Sequence, residues 1–406
     1  MQTTRPADID LCDKDVFVRG VPNEWFTRLR HEAPVCWHDE PDGRGFWCVT
    51  RYEDVSAINR DWETFSSARG TAIITDIEAD QLEQQRLLML NTDPPMHTRY
   101  RRLINRGFTP RMVGELESRT RQRAREIIDG VADRGECDFV VDVAAELPLQ
   151  VIADLMGVPQ SDRHKVFDWS NRMIGAEDPE YGVSQENAQE ASLELYAYAS
   201  QLAAQRRAEP AKDLMSILID AEVEGERLSD LELDLFFLLL SVAGNETTRN
   251  LISHGMVALL EHPDQLERVR ADRSLLPTAV EEMLRWASPV MCFRRTAMRD
   301  TELGGQAVRD GDKVIFWYVS ANRDETVFPD PNRFDITRTP NEHIAFGSGG
   351  PHFCLGANLA RLEIRVMFDE VLNRLSDIEP AGPVSRLRSN FINGLKHVPL
   401  RFRAVS

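Results

Sequence analysis

One cysteine, Cys354, closes a glycine-rich run that reads Phe346-Gly347-Ser348-Gly349-Gly350-Pro351-His352-Phe353-Cys354-Leu355-Gly356. A helix-forming stretch follows at once, Ala357-Asn358-Leu359-Ala360-Arg361-Leu362-Glu363. Glycines let a backbone lie close against a flat ligand. Backbone N–H groups and the N-terminus of the next helix can stabilise a thiolate, the form of cysteine that binds metal. A free cysteine is most often an inert core thiol, but such a thiol needs no glycine framing. Zinc is poorly served, since His352 and Cys354 supply only two ligands. A second concentration of chemistry is Ala243-Gly244-Asn245-Glu246-Thr247-Thr248, where a carboxylate and hydroxyls interrupt an apolar stretch. These are poor helix formers, and a buried carboxylate beside a hydroxyl is costly to keep without a use. The segment reads either as a tolerated weak point or helix end, or as a local kink that turns polar groups toward a cavity.

The element carrying that second segment is a long helix. Ser229 followed by Glu232 is a capping-box pattern. The chain then runs apolar through Leu233, Leu235, Phe236, Phe237, Leu238, Leu239 and Leu240, continues to about Leu260, and stops near Pro263. Its apolar residues cover nearly all faces, which places it in the interior. Helical spacing also marks residues 111–132, 147–155, 188–208 and 214–222. Strand-like segments lie early, at 35–37 and 46–50, and later at 313–318. Neither a repeat nor a Gly/Ser-rich linker divides the chain. The expected fold is mainly α with a small β-rich lobe near the N-terminus, as one domain over residues 1–406.

Composition narrows the classes of function. Hydrophobic residues make up 42% of the 406, enough for a large core. The formal charge of -18 argues against nucleic acid as a partner. Cys12, Cys36, Cys48, Cys137, Cys292 and Cys354 form no Cys-x-x-Cys pair, and scattered cysteines in a chain this long suggest a reducing compartment. Residues 1–12 are polar and have no apolar core of a signal peptide. The longest apolar run, 235–244, falls short of the roughly 18 residues of a membrane span. The expectation is a cytoplasmic protein without a membrane span.

The cysteine segment resembles the haem-binding loop of the cytochromes P450, Phe-Gly-x-Gly-x-His-x-Cys-x-Gly, with one more residue between Phe346 and Cys354 than that pattern has. Other motifs follow in the family's order. Residues 243–248 resemble its oxygen-activating helix segment. Glu282-Met283-Leu284-Arg285 resembles its Glu-x-x-Arg pair, and Phe328-Pro329-Asp330-Pro331-Asn332-Arg333-Phe334 the loop packed on that pair. Asp93-Pro94-Pro95-Met96-His97-Thr98-Arg99-Tyr100-Arg101 resembles its haem-propionate helix. Glu-x-x-Arg alone carries little. It recurs at Glu83/Arg86, Glu224/Arg227, Glu246/Arg249 and Glu267/Arg270, mostly as expected surface pairs at helical spacing. The ordered set covers nearly the whole chain.

The resemblance implies a P450 fold with haem b between the long helix and the Cys-loop helix. Cys354 would be the axial iron ligand, a thiolate that favours O–O cleavage. Thr247 and Glu246 would be catalytic, in oxygen hydrogen bonding and proton relay. The bland alternative for Thr247 is a hydrogen bond to the carbonyl one turn back. His97, Arg101, Arg295 and His352 match positions that hold the propionates, and Phe346, Gly356 and Ala243 also match haem contacts. Glu282 and Arg285 would be structural. Val242, Ala243, Val290, Met291, Phe293 and residues 392–394, with Ile392 foremost, would line a substrate pocket, with 72–77 as a lid. Their apolar character implies a hydrophobic small-molecule substrate.

Residues 242–254, 286–296 and 386–396 resemble an actinobacterial branch that hydroxylates terminal methyl groups of methyl-branched lipids and sterol side chains. Omega-hydroxylation of such a chain is the expectation; a terpenoid or polyketide is the alternative. With no flavin extension, electrons would come from NAD(P)H through a ferredoxin and its reductase. Arg101, Arg102, Arg106 and Arg361 are candidates for the docking patch, against the alternative of a solvated, salt-bridged face. A non-catalytic haem protein or a peroxygenase fits less well, because the Glu246–Thr247 pair is retained.

Overall fold

The computed structural model describes residues 3–41, 43–77, 82–83, 85–175, 178–181 and 184–405; the side chains of residues 106, 110, 111, 113 and 185 are outside the description. The chain divides into two compact units. One comprises Met1–Thr98, Glu281–Cys354 and Ser389–Asn393; the other comprises Arg99–Val280, Leu355–Arg388 and Gly394–Ser406.

The first unit is built on a five-stranded sheet. Its strands run Val35–His38, Phe46–Val49, Lys313–Trp317, Cys292–Ala297 and Phe65–Ser66 in spatial order. All neighbours are antiparallel except Lys313–Trp317 on Phe46–Val49, which is parallel with Ile315 opposite Cys48. Strand side chains alternate between the two faces. Cys36, Phe46, Cys48, Ile315 and Trp317 go to one core with Phe17, Phe26 and Met291. Val35, Trp47, Val49, Val314 and Phe316 go to a second with Val55, Ile58 and Tyr318. Burial on both faces explains the β-branched and aromatic runs in these strands.

The second unit is helical. Its long helix is Asp230–Glu261, and the expected capping box is present. Ser229 N–H donates to Glu232 Oε2 at 2.7 Å and Glu232 N–H donates to Ser229 Oγ at 3.3 Å. The helix ends at His262, before Pro263. It is packed by Glu146–Met156, Arg163–Ile174, Gln185–Ala208 and Ala357–Arg374. Thr109 caps Pro110–Ala132 and Asp213 caps Leu214–Asp220, each accepting from a first-turn N–H. A three-stranded sheet, Leu375–Pro380, Pro399–Ala404 and Glu136–Asp138, completes the unit. The β structure is therefore not confined to the start of the chain as expected. The segment expected at 313–318 is present as Lys313–Trp317, and the six-residue strands Cys292–Ala297, Leu375–Pro380 and Pro399–Ala404 are added to it. Among the described residues no helix is long and apolar enough to cross a membrane.

A charged strap in this unit fastens residues 178–181 to the C-terminal strands. Buried Asp178 accepts from Arg388 N–H at 2.8 Å and from Lys396 Nζ at 2.9 Å. Lys396 also reaches Glu180 at 2.7 Å. His397 bridges Asp138 through Nδ1 and Glu180 through Nε2. Burial alone would lower the imidazole pKa, but hydrogen bonds and charge from Asp138 and Glu180 outweigh it and raise the net value. A raised folded-state pKa stabilises the fold fully below the ordinary histidine value of about 6.5, and that contribution is lost as pH rises through the folded value. His397→Gln should therefore lower the melting temperature at pH 5.5 and much less at pH 9. With the ring 42% exposed, the low-pH gap should stay below about 1 kcal/mol. An equal gap at both pH values would rule out the charged bridge.

Candidate active site

The cysteine loop is anchored on the helix Tyr52–Arg60 of the same unit. Arg60 Nε donates to Ser348 O at 2.9 Å and Ser348 Oγ donates to Ser56 O at 3.4 Å. Tyr318 Oη donates to Asn59 Oδ1 at 2.7 Å, and Asn59 Nδ2 donates back to Val55 O at 2.9 Å. The loop closes on itself where Cys354 N–H donates to Phe346 O at 2.9 Å. Gly347, Gly349 and Gly350 in this loop are all at positive φ. At Gly350 a Cβ would stand 2.2 Å from Asn59 O, so no side chain fits there. Cys354 remains partly exposed, while Cys36, Cys48, Cys137 and Cys292 are buried. Burial, helped by neighbouring carboxylates, pushes the Cys12 and Cys137 thiols up to about 12, which marks them as inert.

The same unit gathers three of the four expected propionate partners. His97 is buried, with its ring centroid 4.3 Å from that of His352. His352 Nε2 lies 3.0 Å from both Ser67 Oγ and Thr92 O. The register that sets Ser66 opposite Thr296 brings Ser67 to the strand carrying Arg295. Arg295 is buried, gives Nη1 to Arg294 O at 2.8 Å, and lies over the Phe316 ring. It makes no ion pair among the described residues, and burial lowers its pKa. Beside it, Thr296 Oγ1 is buried without a hydrogen-bond partner. A buried guanidinium lacking a counter-ion is costly unless an anion joins it. Arg101 belongs to the other unit.

Glu282 and Arg285 are both 0% exposed. Arg285 donates bidentately to Glu282, with both bonds at 2.8 Å, and on to Asn322 O, Pro331 O and Arg333 O. Glu282 also accepts from Asp335 N–H at 2.9 Å, from Arg338 and from Asn341. The pair is a structural clamp on residues 322–341.

On the long helix, Val242, Gly244 and Thr247 are partly exposed and Ala243 is exposed, in a stretch where neighbours on the other faces are buried. Ala243 and Thr247 share one face by the i, i+4 rule. The expected interruption is not a break: the helix is continuous over 243–248. The Thr247 hydroxyl donates to Ala243 O at 2.7 Å, the local alternative raised above. Glu246 faces elsewhere. It is 1% exposed, paired with Arg249 (5%) on the same helix, and accepts from Ser170 Oγ at 3.3 Å. Arg249 in turn donates to Asn171 Oδ1 at 2.9 Å. Burial pushes the Glu246 carboxyl above its ordinary range, against the pull of Arg249 and Ser170. This Glu-x-x-Arg match is thus an interior ion pair rather than a surface one.

The expected pocket residues divide. Val290 and Ile392 form an antiparallel bridge, and Phe293 packs edge-on to Tyr318 and Phe391. Met291 is instead 1% exposed and sits in the core with Trp317 and Phe26. In the segment 72–77, Ile74 enters that same core, and Lys313 Nζ holds Ile74 O at 2.8 Å and Asp76 at 3.0 Å. Arg102 pairs with Glu224, both exposed, while the Arg106 side chain lies outside the described residues. Asp10, Cys12 and His38 also come together. The Nε2 lone pair of His38 is already engaged there, accepting from Leu11 N–H, while Nδ1 is bonded to Asp39 O.

The donor set fits a haem. A glycine-framed, partly exposed thiol precedes a helix in the chain, and the buried Arg295, which makes no ion pair among the described residues, suits an anionic group. Once bound through a thiolate, haem supplies dioxygen activation. Comparison with known proteins agrees. The Cytochrome P450 family model matches residues 137–385. The chain is 45% identical to the steroid C26-monooxygenase of Rhodococcus jostii, covering 100% of this chain and 87% of that protein. It is 43% identical to the methyl-branched lipid omega-hydroxylase of Mycobacterium bovis, over 97% of this chain and 94% of that protein. A solved cytochrome P450 of Mycobacterium marinum in complex with pseudoionone superposes with a TM-score of 0.91 at 41% identity, covering 98% of this chain and 100% of that one. Fold, thiolate loop and relatives converge: the chain belongs to the cytochrome P450 family, the haem-thiolate monooxygenases that draw their electrons from a redox partner.

Proposed function

We propose that this enzyme inserts one oxygen atom from O2 into a terminal C–H bond of a methyl-branched lipid or of a sterol or isoprenoid side chain. The observation that carries the reading is full-length similarity above 40% both to a steroid C26-monooxygenase and to a methyl-branched lipid omega-hydroxylase. Both names describe oxidation at the end of a branched aliphatic chain. The apolar character of Val242, Ala243, Val290, Phe293 and Ile392 supports it. Cys354 is assigned as the iron ligand, His97, Arg295, His352 and Arg101 as propionate partners, and Thr247 with Glu246 as the groups that handle protons. Electrons are assigned to NAD(P)H through a ferredoxin and its reductase. Six cysteines, none in a disulfide among the described residues, suit a reducing cytoplasm.

The test is a spectral titration of the ferric enzyme with a methyl-branched fatty alcohol and with a sterol ketone bearing an intact side chain. A low-to-high-spin shift at micromolar ligand is expected for at least one, followed by terminally hydroxylated product when ferredoxin, reductase and NAD(P)H are supplied. No shift with either would remove the lipid reading and move terpenoids and polyketides forward. Turnover with peroxide alone at the ferredoxin-driven rate would overturn the electron route.

A further inference from the structure

The helix Leu276–Ala287, which carries the Glu282–Arg285 clamp, ends at Ser288. The Ser288 N–H closes the last turn on Leu284 O at 3.1 Å. Its φ is 42°, in the left-handed region. Glycine ordinarily takes that place after a helix, because a Cβ there crowds the following carbonyl oxygen. Pro289 comes next and favours an extended residue before it, so serine is doubly disfavoured. Such a conformation persists only where its surroundings impose it. Ser288 is 0% exposed, and its hydroxyl donates to Arg285 O at 3.1 Å and accepts from Asn322 Nδ2 at 2.8 Å. Asn322 is itself fixed, since its Oδ1 accepts from Ile344 N–H at 2.8 Å. From the other side Asn393 donates its side-chain amide to Ala287 O at 2.6 Å and its N–H to Pro289 O at 2.9 Å. Immediately beyond this corner stands Val290, bridged to Ile392, and Met291 N–H donates to Phe391 O at 2.8 Å. All these groups belong to one compact unit.

We propose that Ser288 is a positioning residue that sets the regiochemistry of the oxidation, by holding Val290 and Ile392 as one unyielding wall against the end of the substrate chain. The inference rests on the assignment of those two residues to the substrate pocket and on terminal oxidation of a branched chain. Where a chain ends in a methyl branch, the tertiary C–H bond is weaker than the methyl C–H bonds beside it. A loosely held chain therefore reacts at the tertiary carbon. Terminal oxidation needs a pocket that keeps that carbon out of reach. A misplacement of about 1 Å is enough to change a rate by about 10²-fold. Glycine would meet the backbone demand of this turn with less strain, but it has no hydroxyl to tie the helix end to Asn322. The serine gives up conformational ease for rigidity at the point where the wall begins.

The experiment gives the holoenzyme and its variants Ser288→Gly, Ser288→Ala and Val290→Ala a sterol ketone with an intact side chain and an iso-branched fatty alcohol. It reads the ratio of terminal to tertiary alcohol, with haem content and melting temperature alongside. The ratio should fall by at least about tenfold in both Ser288 variants. Ser288→Gly should melt above Ser288→Ala, because it fits the left-handed turn. If selectivity merely followed stability, Ser288→Gly would keep most of the wild-type ratio; a variant that is the more stable and still unselective marks a positioning role. Ser288→Gly decides the matter alone if Ser288→Ala fails to take up haem. An unchanged ratio in haem-loaded Ser288→Gly would overturn the inference. Val290→Ala should lower the ratio too. An unchanged ratio and spectral affinity there would instead remove Val290 from the pocket, and absence of terminal product from the wild type would overturn the proposed function; the inference falls with either.

Discussion

Cys354→Ser abolishes the thiolate-type absorption of the reduced CO complex and the hydroxylase activity. The expected loss is at least about 10³-fold, or roughly 4 kcal/mol of barrier. The argument starts from the loop. Cys354 is a partly exposed thiol framed by three positive-φ glycines, and its own N–H donates to Phe346 O. The framing survives the substitution, since Ser is smaller and the backbone bond does not involve the side chain. What is lost is the electron-rich sulfur, which a serine oxygen cannot replace as a donor to iron. Haem uptake should therefore persist in part, held by the His97, His352 and Arg295 group, while the spectrum changes. A variant that kept the thiolate spectrum would move the ligand to another cysteine. The raised thiol pKa of partly buried Cys12 and of buried Cys137 argues against those two.

Arg285→Ala prevents folding to the haem-binding state. Removing one member of a buried ion pair leaves an uncompensated charge, at a cost of about 3–5 kcal/mol. That is a large part of the roughly 5–15 kcal/mol that holds an ordinary domain together. Here the cost is aggravated, because Arg285 also donates to Asn322 O, Pro331 O and Arg333 O, each of which would lose that donor, although Arg323 and Arg338 still reach the last two. Arg285→Lys keeps the charge but not the fork that serves Glu282 through two bonds at once. It should be intermediate. Glu282→Ala should be as damaging as Arg285→Ala, and the double substitution less damaging than the sum, since each single change strands the partner's charge. The measurements are soluble yield, haem content and urea midpoint. Full haem content and an unchanged midpoint in Arg285→Ala would remove the clamp from the fold's essentials.

How much of this was legible beforehand differs by element. The long helix was readable because its signals are local. The Ser229–Glu232 box, the apolar run and Pro263 each act within one turn. The cysteine loop was readable for the same reason, and three of its glycines adopt the positive φ that glycine favours. The sheet was only partly readable. Its strand Lys313–Trp317 finds its parallel partner at Phe46–Val49, more than 260 residues away, and no local pattern encodes that pairing. Met291 was misplaced because an apolar residue beside a pocket strand looks the same whether it faces a ligand or the core. Arg249 was passed over because i, i+3 spacing is identical for a solvated pair and a buried one.

By itself, then, the sequence determined the ligand chemistry, the long helix with its ends, and the family, since these rest on residue type and short spacing. Only the tertiary structure decided which way each side chain faces. It turned Thr247 to the accessible face, sent Glu246 to Arg249 and the helix Arg163–Ile174, and left Arg295 buried without a counter-ion. Burial and charge compensation depend on neighbours brought from distant parts of the chain, so they exist only once the packing is complete.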